Sequence, residues 1–537
     1  MTATSAVPAA GRTEVLIVGG GLVGLSAALF LDYHGVRCTL VERREDTSPL
    51  PRSRGVHTRT VELFRQIGVE EQLQETASAA LKMGLFGGAV TGPTMIDAER
   101  LDIRRSRGGA QGDDSSPSSF SFCPQGLLEP LLRRIAVERG GDVRFRTELT
   151  GFDRDSRGVR AVLRDAAGRS TELRADFLIA ADGGASGVRS ALSIATSGPP
   201  ATHHYLNIFF RADLTEYVRG RTFSQCEIAN DQVRGLLLSK NNTDEWSFHL
   251  EYDPARATPA DFPPERCAQL LRAAIGLPDL KVELLSGSPW DTAVSIADHY
   301  RAGPVFLAGD AAHQHAPWGG FNANTGIADV HNLSWKLAAV LRGRAADPLL
   351  DTYQQERRPR AVLAGDQARL RTDFRARYGI RTPGNAADCD RQLDLGAVME
   401  RYRYESSAIV PDGAGGPWVE ELAGQAGTRA PHAWLLRDGG RVSSLDLVGP
   451  GFALLTGPDG AAWAAAADAV RVPLAVHTIG GGSLSDPGGE WLARTGLPRA
   501  GALLVRPDGH VAARLEQGPT AAALGSAMAT AHASEGV

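Results

Sequence analysis

Three glycines and one glutamate near the N-terminus have the spacing of a phosphate-binding loop. Gly19, Gly21 and Gly24 form a GxGxxG pattern, and Glu42 follows Gly24 by 18 residues. The first glycine permits a tight turn, the second lets a pyrophosphate approach the backbone, and the third lets a helix contact a strand. The helix N-terminus stabilises the anion, and the glutamate accepts hydrogen bonds from ribose hydroxyls. The pattern predicts a site for a dinucleotide with an unphosphorylated ribose, such as FAD or NAD, although a Gly-rich turn in an ordinary α/β protein can show the same glycines.

The residues around this pattern predict the elements that must position it. Residues 14–18 predict a short strand, residues 22–29 repeat apolar side chains at helical spacing, and residues 38–41 predict a second strand. After a β-rich stretch, a buried strand at 305–308 and a helix at 330–340 return to the same unit. We therefore expect an α/β protein with a Rossmann-like dinucleotide-binding domain that is discontinuous in sequence.

Composition and turn residues divide the chain into three units. The first combines residues 1–201 with residues 297–410, and it ends in a long charged helix predicted at 351–377. Residues 202–296 are rich in β-type runs and predict an inserted mixed sheet that faces the substrate. A Gly/Pro-rich stretch opens the third unit, residues 411–537, whose alternating strands and helices predict a small α/β domain.

The composition excludes several classes of protein. The 537 residues carry a formal net charge of −5, which argues against nucleic acid as the main partner, and 43% of them are hydrophobic, as in a folded chain. The five cysteines lie at least 41 residues apart, so we expect neither a CxxC pair nor a zinc cluster, and a reducing cytoplasm fits best. His313 with His315, and His203 with His204, lack a third ligand at suitable spacing, so no metal is predicted. We expect neither a signal peptide nor a membrane span.

Two later stretches separate FAD from NAD. Ala181, Asp182 and Gly183 form a DG motif, and residues 307–313, LAGDAAH, form a GD motif. Together with the GxGxxG loop, and in this order and spacing, they resemble the motifs of flavin-dependent aromatic hydroxylases of the para-hydroxybenzoate hydroxylase class. The resemblance covers the whole chain and is strongest to the aromatic polyketide hydroxylases of actinomycete antibiotic pathways. It implies a thioredoxin-like fold for the third unit, here without CxxC and with a structural or associative role.

The resemblance implies a function as well as a fold. We expect an FAD-dependent monooxygenase that hydroxylates a polycyclic aromatic polyketide, with NADPH or NADH as the transient reductant and O2 as the oxidant. A flavin C4a-hydroperoxide is the expected source of the electrophilic oxygen, so the cofactor carries the difficult chemistry. Baeyer–Villiger oxygen insertion on the same fold stays open, as does, from a different class, a flavin-binding scaffold without turnover. The sequence does not specify the polyketide, the oxidised carbon or the oligomeric state.

The resemblance assigns the FAD contacts residue by residue. Asp310 is expected to bind the ribityl hydroxyls, and Asp182 to orient the loop shared by FAD and the nicotinamide cofactor. Arg52 and Arg54 are expected to face the pyrophosphate, although they can equally form a solvated basic loop, and Gln125 can equally cap a helix. The expected contacts are Gly19, Gly21, Leu22, Val23, Gly24, Glu42, Arg43, Arg52, Arg54, Gln125, Leu149, Asp182, Gly183, Asp310, Gly320, Asn322, Ala323 and Asn324.

The loop at residues 317–324, PWGGFNAN, matches the family segment that faces the flavin ring. Pro317 and Asn322 are therefore candidate catalytic residues, and Asn322 stands where the family usually has Gly. Because Asn tolerates positive φ, the loop shape survives while a polar side chain is added beside the flavin. Arg403 matches a segment near the substrate and is expected to lower a phenol pKa, with a surface salt bridge as the alternative. Aromatic residues that line a substrate pocket, or else belong to the sheet core, are Phe209, Phe248, Trp290 and Trp318.

Overall fold

The computed structural model describes residues 9–48, 53–82, 88–101, 114–413, 415–470 and 473–533. Its strands are β1 (Ala9–Val18), β2 (Cys38–Glu42), β3 (Ala89–Gly92), β4 (Glu99–Arg100), β5 (Asp142–Phe145), β6 (Glu148–Asp155), β7 (Gly158–Arg164), β8 (Ser170–Ala180), β9 (Thr196–Ser197), β10 (His204–Arg211), β11 (Gln225–Ala229), β12 (Arg234–Ser239), β13 (Glu245–Tyr252), β14 (Glu283–Asp291), β15 (Ser295–Ala297), β16 (Arg301–Ala302), β17 (Val305–Leu307), β18 (His313–Gln314), β19 (Trp434–Arg437), β20 (Gly440–Ser443), β21 (Phe452–Thr456), β22 (Leu474–Thr478), β23 (Leu484–Ser485), β24 (Ala502–Val505) and β25 (Val511–Leu515). Its helices are α1 (Leu22–Tyr33), α2 (Thr58–Gln66), α3 (Glu70–Lys82), α4 (Gln125–Glu138), α5 (Gly187–Ala191), α6 (Thr215–Val218), α7 (Pro264–Ile275), α8 (Phe321–Leu341), α9 (Thr352–Arg369), α10 (Ala386–Arg391), α11 (Leu395–Met399), α12 (Ala462–Ala469), α13 (Glu490–Thr495) and α14 (Ala521–Ala531). Within these ranges, none of the helices combines the length and the apolar character that a membrane crossing requires.

The first sheet has the N-terminal strand near its centre. Its order is β16-β17-β8-β1-β2-β5, and β6 and β7 extend it from β8 by antiparallel pairing. β1 pairs in parallel with β2 and β8, and β17 pairs in parallel with β8. Val15, Leu16 and Ile17 of β1 are fully buried, as expected for a parallel strand covered on both faces. The predicted βαβ opening and the return of the chain at β17 are both confirmed.

Helix α1 is apolar around most of its surface because it is enclosed in the first domain. It packs along α8, and Leu25, Phe30 and Leu31 are fully buried. The helix begins at Leu22, four residues after β1 ends, at the carboxyl edge of the parallel strands. Open α/β sheets bind their ligands at this edge, so the fold positions the glycine pattern for binding.

The second sheet is wider than the predicted range of 202–296. Its order is β14-β10-β13-β12-β11-β3-β4, so two strands that precede residue 201 belong to it. β3 pairs in parallel with β11, with Ala89 opposite Gln225 and Gly92 opposite Ile228. The predicted boundary missed these strands. They are short and come from a distant segment, and the sequence around them does not indicate which sheet they join.

The two faces of the second sheet differ in character. On one face, Ile208, Phe210, Leu237 and Phe248 pack in one cluster with Leu271 of α7. The opposite face carries Tyr205 and Leu236, which pack with residues of α9 and of the 3₁₀ turn Trp318–Gly320. Because side chains alternate along a strand, the register decides which residues line the space between the two domains.

The long helix predicted at 351–377 ends earlier. α9 stops at Arg369, and a separate 3₁₀ turn forms at Ala376–Tyr378. The side chain of Arg377 folds back, with Nε donating to the Arg371 carbonyl and Nη2 to the Thr372 carbonyl, both at 2.8 Å. The arginine thereby satisfies carbonyls that a continued helix would have used, and the chain turns toward the second sheet.

The C-terminal domain has the thioredoxin-like fold. Its main sheet has the order β22-β21-β24-β25, with β21 and β22 parallel and the last two strands antiparallel to their neighbours. Its apolar cluster includes Phe452 and Leu504, and Trp335 of α8 and Leu349 belong to the same cluster. The domain therefore shares a core with the helices that follow the GD motif.

Candidate active site

The GxGxxG loop has room only for glycine at its first and third positions. Gly19 has a φ of +108°, and a Cβ there would lie 2.2 Å from the Ala181 carbonyl oxygen. A Cβ on Gly24 would lie 1.9 Å from the Gly19 carbonyl oxygen. Gly21 precedes Leu22, the first residue of α1, so the helix N-terminus opens directly beside the loop. This is the geometry of an anion cradle.

Glu42 ends β2 beside the same loop, as predicted. Its Oε2 accepts from the Gly20 amide at 2.7 Å, and its Oε1 accepts from the Arg44 amide at 2.8 Å. The carboxylate is half-buried and Arg43 is exposed. The two backbone bonds fix the carboxylate at the edge where a ribose would lie.

Glu129 is a buried residue of the site that the sequence did not reveal. Its Oε1 accepts from the Leu22 amide at 3.2 Å and from Gln125 Nε2 at 2.7 Å, and its Oε2 accepts from the Ser48 amide at 3.0 Å. The carboxylate joins the start of α1 to the segment after β2. The sequence could have indicated Glu129, because a charged residue on the apolar face of α4, four positions after Gln125, needs a partner.

The DG motif carries a buried acceptor without a partner. Asp182 Oδ2 accepts from the Val188 amide at 3.1 Å, whereas Asp182 Oδ1 is buried and has no hydrogen-bond partner within the part of the chain that the structure describes. Arg189 ties this loop to the GD turn by donating to the carbonyls of Gly184 and Ala311, each at 2.8 Å. The unpaired oxygen is available to a ligand that enters between the two loops.

The GD motif forms a 3₁₀ turn, Gly309–Ala311, directly after β17. A Cβ on Gly309 would lie 2.7 Å from Val23 Cγ2, so the turn packs tightly against α1. Asp310 is half-buried, and its Oδ1 accepts from Asn322 Nδ2 at 2.8 Å. Asn322 is thus directed at the carboxylate of the GD motif.

The left-handed turn of the loop at 317–324 is made by its two glycines, whereas Asn322, expected to tolerate positive φ, lies in the first turn of α8 without it. Gly319 and Gly320 have φ values of +80° and +67°, while Pro317 is exposed. Asn324 Oδ1 accepts from the His57 amide at 2.9 Å, and its Nδ2 donates to the Gly55 carbonyl at 3.1 Å. The loop is therefore fastened to the segment that follows Arg54.

The predicted FAD contacts from distant parts of the chain meet at one place. One small cavity is lined by Leu22, Gln125, Ala323 and Asn324 together with Cys123. The glycine cradle, the unpaired oxygen of Asp182 and this meeting of motifs fit the dinucleotide and ribityl parts of FAD.

Four of the predicted contacts lie at the margin of this arrangement or beyond it. Arg52 falls outside the residues that the structure describes. Arg54 Nη1 donates to the Ser224 carbonyl at 3.3 Å and so reaches toward the second sheet. Leu149 lies in β6 and packs against the core, and Gly183 has a φ of +85° in the DG turn.

A larger cleft lies between the second sheet and the chain that follows α9. It has a volume of about 270 Å³ and is lined on the sheet side by Tyr205, Leu236 and Glu251. Trp318 and Arg377 line the opposite side. Trp318 belongs to the turn that precedes α8, so the cleft adjoins the loop expected at the flavin ring.

Aromatic rings form the wall of this cleft. Trp290 stacks on Tyr205 with ring centroids 4.5 Å apart, and its ring meets Trp318 edge to face at 5.7 Å. Trp290 Nε1 donates to His249 Nδ1 at 2.9 Å, which fixes the indole. Burial raises the pKa of Tyr205 to about 12, so its phenol is neutral at ordinary pH. Tyr205 and Trp318 thus offer flat rings on which a fused-ring ligand can stack, beside a lining that is otherwise largely polar.

Arg377 supplies a cation to the cleft. Its guanidinium carbon lies 3.4 Å from the centroid of the Trp318 ring. Its Nη1 is buried, and no atom of the described residues accepts a hydrogen bond from it. Burial lowers the pKa of Arg377 to about 10, so the group is charged near pH 7. Arg377 therefore brings a positively charged donor with unused capacity to the cleft, as does Arg369, whose buried Nε also lacks an acceptor among the described residues.

Three of the residues predicted to contact substrate are placed elsewhere. Phe248 is fully buried in the core beneath the sheet, and Phe209, half-buried with Lys240 Nζ 5.1 Å from its ring, does not line the cleft. Arg403 is buried in an ion pair with Asp412, also away from the cleft lining. The structure does not place Phe248, Phe209 or Arg403 at this cleft, because strand register and a neighbouring carboxylate, which residue type does not reveal, decide these positions. Trp318 lines the cleft, whereas Trp290 supports it from behind by stacking on Tyr205.

Comparisons with known proteins agree with this geometry. The FAD binding domain family matches residues 12–368, and the family of C-terminal domains of aromatic-ring hydroxylases matches residues 423–533. The tetracenomycin A2 monooxygenase-dioxygenase of Streptomyces glaucescens is 42% identical over 546 residues, which covers 95% of each chain. The aklavinone 12-hydroxylase RdmE of Streptomyces purpurascens is 37% identical over 531 residues, with 95% of this chain and 97% of RdmE covered.

Solved structures give the same result. The ternary complex of aklavinone-11 hydroxylase with FAD and aklavinone superposes with a TM-score of 0.86 at 34% identity, covering 97% of this chain and 99% of that one. The flavin-dependent monooxygenase PieE, in complex with FAD and substrate, gives a TM-score of 0.83 at 32% identity, covering 98% and 99%. The shared motifs, the shared architecture and the match along nearly the whole length place the chain in the family of FAD-dependent aromatic hydroxylases, the flavoprotein monooxygenases.

Proposed function

We propose that the chain hydroxylates an electron-rich polycyclic aromatic polyketide, with NADPH or NADH as reductant and O2 as the oxygen source. The observation that carries this proposal is the cleft beside the predicted flavin loop, in which Tyr205 and Trp318 lie with Arg377, whose Nη1 has no acceptor among the described residues. The named relatives that act on tetracenomycin A2 and aklavinone support a fused-ring substrate. A phenol on such a ring is the group that a buried cation would bind.

FAD is proposed to lie along the glycine cradle with its ribityl chain at the GD turn. Glu42 would accept from the ribose, Asp182 Oδ1 would take the hydrogen bond it lacks, and Asp310 would bind ribityl hydroxyls. Reduced FAD supplies the chemistry that activates O2 and presents an electrophilic oxygen. The chain needs no nucleophile of its own, and its tasks are to position, to exclude water and to adjust charge.

Arg377 is proposed to stabilise the phenolate form of the substrate. A nearby positive charge lowers the pKa of a phenol, and the effect is strong where water is excluded. Glu251 and Glu227 also line the cleft, but Glu251 pairs with Arg234 and Glu227 accepts from Thr91. The negative charges of Glu227 and Asp373 offset part of the lowering of the Arg377 pKa by burial, so the guanidinium stays charged, and its Nη1 is proposed to bind the ligand. A phenolate pushes electron density into the ring carbon that must attack the oxygen.

The aromatic wall is proposed to select flat substrates and to hold the ring against the flavin loop. Trp318 packs against the guanidinium of Arg377 and meets the rings of Trp290 and Tyr205 edge to face. Hydroxylation adds an oxygen to a ring carbon, whereas Baeyer–Villiger insertion places it between a carbonyl carbon and its neighbour. The phenolate-binding charge favours the first reaction because it enriches a ring carbon in electrons.

The test compares the wild type with Arg377→Met, using Arg375→Met as the matched control, since the Arg375 residue is exposed two positions away. The proteins are given a panel of phenolic fused-ring polyketides, and substrate-dependent oxidation of NADPH and NADH is measured under air. Product structure by NMR separates a new hydroxyl from an inserted oxygen. Coupled hydroxylation in the wild type and in Arg375→Met, with loss in Arg377→Met, supports the proposal. NADPH oxidation that no phenolic substrate stimulates would contradict it.

A further inference from the structure

A row of polar side chains extends from the GD turn into the core. Asn322 Oδ1 lies 3.0 Å from His313 Nδ1, on the opposite side of the amide from Asp310. His313 Nε2 lies 2.8 Å from Asp329 Oδ2, and Arg357 Nε donates to Asp329 Oδ1 at 2.8 Å. The row therefore runs from Asp310 through Asn322 and His313 to the Asp329–Arg357 ion pair.

The protonation of His313 follows from its neighbours. An ionised carboxylate only accepts hydrogen bonds, so the Asn322 amide must present its NH2 to Asp310 and its oxygen to His313. Asp329, paired with Arg357, is a carboxylate and accepts from the second ring nitrogen. Both ring nitrogens of His313 therefore donate, and only the imidazolium form has two N–H groups.

The surroundings of His313 leave this charge unscreened by water. The side chains of His313 and Asp329 have no exposed surface. Burial raises the pKa of Tyr300 and lowers the pKa of His315 to about 3, so the two rings stacked on His313, at 6.4 and 6.2 Å, are neutral near pH 7. The titratable and charged groups around the imidazole are Asp310, Asp329, Tyr300, His315, Tyr353 and Arg357.

Asn322 makes hydrogen bonds both to His313 and to Asp310. Burial alone would lower the pKa of His313, but the charge of Asp329 and the hydrogen bonds that His313 donates to Asp329 and Asn322 outweigh it, and the pKa is raised. A glycine at position 322, the residue expected from the family pattern, would remove the acceptor of His313 Nδ1 and the donor to Asp310. The positive charge would then be held from one side only.

We propose that Asn322 keeps His313 protonated, and that the imidazolium, acting through Asn322 and Asp310, raises the reduction potential of the bound FAD. Asn322 and His313 are positioning residues in this proposal, and it rests on the proposed function in that Asp310 must lie at the FAD. A buried positive charge favours the reduced flavin, which is the more negative form, over the oxidised one.

The test uses the holoenzyme, the variant Asn322→Gly and the matched control His315→Gln, in urea unfolding at fixed excess FAD. The folded-state pKa of His313 is above its unfolded value, so its contribution to stability is full below the unfolded pKa and is lost as the pH rises through the folded pKa. The destabilisation by Asn322→Gly is therefore expected to be at least about threefold larger near pH 6 than near pH 9. His315 is shifted the opposite way, so His315→Gln gains stability relative to the wild type as the pH falls.

The second measurement is the midpoint potential of FAD in the same proteins. It is expected to become more negative in Asn322→Gly and to stay unchanged in His315→Gln. Asn322→Ala repeats the test without the added backbone freedom of glycine. A destabilisation by Asn322→Gly that does not vary with pH, or an unchanged potential, would overturn the inference. FAD content is read separately by absorbance: protein that purifies without FAD contradicts the proposed function, while the unfolding series still decides the charge on His313.

Discussion

Two regions of the molecule bury an arginine, and they treat its charge in opposite ways. At the contact between the FAD-binding and C-terminal domains, Arg506 donates to both carboxylate oxygens of Glu356, at 2.6 and 2.9 Å, and also to Asp508. In the cleft, Arg377 donates to two backbone carbonyls and keeps one buried nitrogen without an acceptor. The chain neutralises the first cation and leaves the second available.

Arg506 stabilises the fold through its ion pairs, whereas Arg377 is available to bind a ligand. Around Arg506, Lys336 and Asn332 donate to Glu356, and Trp335 donates to Asp508, so both carboxylates are shared by several donors. The side chains of Arg506, Glu356 and Lys336 have no exposed surface. A buried network of this kind is costly to break because the remaining partners keep their charge in a dry site.

The largest effect is therefore expected at the domain contact. Arg506→Met should lower the free energy of unfolding by about 3 to 5 kcal/mol, because it leaves Asp508 without its ion-pair partner and Glu356 with Lys336 alone. Urea unfolding followed by circular dichroism measures it. The control is Arg499→Met, which removes an exposed ion pair with Asp459 in the same domain and should cost less than about 1 kcal/mol. Equal losses in the two variants would show that the buried network does not stabilise the domain contact.

The second effect is expected in catalysis. Arg377→Met should lower kcat/KM by about 100-fold, since it removes a charge placed where negative charge develops, while the free energy of unfolding changes by less than about 1 kcal/mol. Without the cation the bound phenol has a higher pKa, so the activity profile should move to higher pH. Arg377→Lys should retain the position of the profile and recover part of the rate.

This split between rate and stability sharpens the comparison of the two arginines. If Arg377→Met unfolded as readily as Arg506→Met, the cleft arginine would be structural. If its pH profile coincided with that of the wild type, the phenolate role would be wrong even with a lowered rate. Neither result would affect the assignment of the FAD-binding domain.

The sequence predicted those parts of the molecule that depend on local spacing. The glycine pattern, Glu42 and the DG and GD motifs are short stretches whose shape is set by nearby residues, and the structure brings them together as expected. Arg377 could not be found in this way. It is one arginine among many, and its importance comes from the end of α9 at Arg369 and from the turn that directs its side chain to Trp318.

The errors have a common physical origin. Phe248 and Tyr205 are both aromatic residues of antiparallel strands, but register places the first in the core and the second at the cleft. Arg403 resembles a substrate contact by sequence, and Asp412, nine residues later, takes its charge. Residue type and spacing report what a side chain can do, whereas tertiary pairing decides whether it is free to do so.

A third, smaller effect concerns the unpaired buried oxygen of Asp182. Asp182→Asn should raise the Kd for FAD about tenfold, because the amide oxygen can still accept from the Val188 amide while the charge on the unpaired side is lost. Flavin fluorescence on dilution measures the Kd. Asp176→Asn, in the preceding strand and paired with the exposed Arg12, is the matched control and should leave the Kd unchanged. A similar increase in both variants would mean that the effect comes from the strand and not from the unpaired oxygen.

The smallest effect is expected at the edge of the cleft and only in acid. Burial, and then the nearby charges of Arg54 and Arg377, lower the pKa of His249 to about 3, and its Nδ1 accepts from Trp290. The unfolded chain binds a proton near the ordinary histidine pKa while the folded chain does not, so His249 costs stability as the pH falls below about 6.5. His249→Gln should therefore lose less stability than the wild type between about pH 7 and pH 5, by about 1 kcal/mol.

The two proteins are compared by urea unfolding at each pH, with His203→Gln as the control, since His203 packs on Tyr205 at the same sheet edge. If His249→Gln and the wild type lost the same free energy of unfolding in acid, His249 would carry a proton in the folded protein. A phenolate would then meet a second positive charge beside that of Arg377.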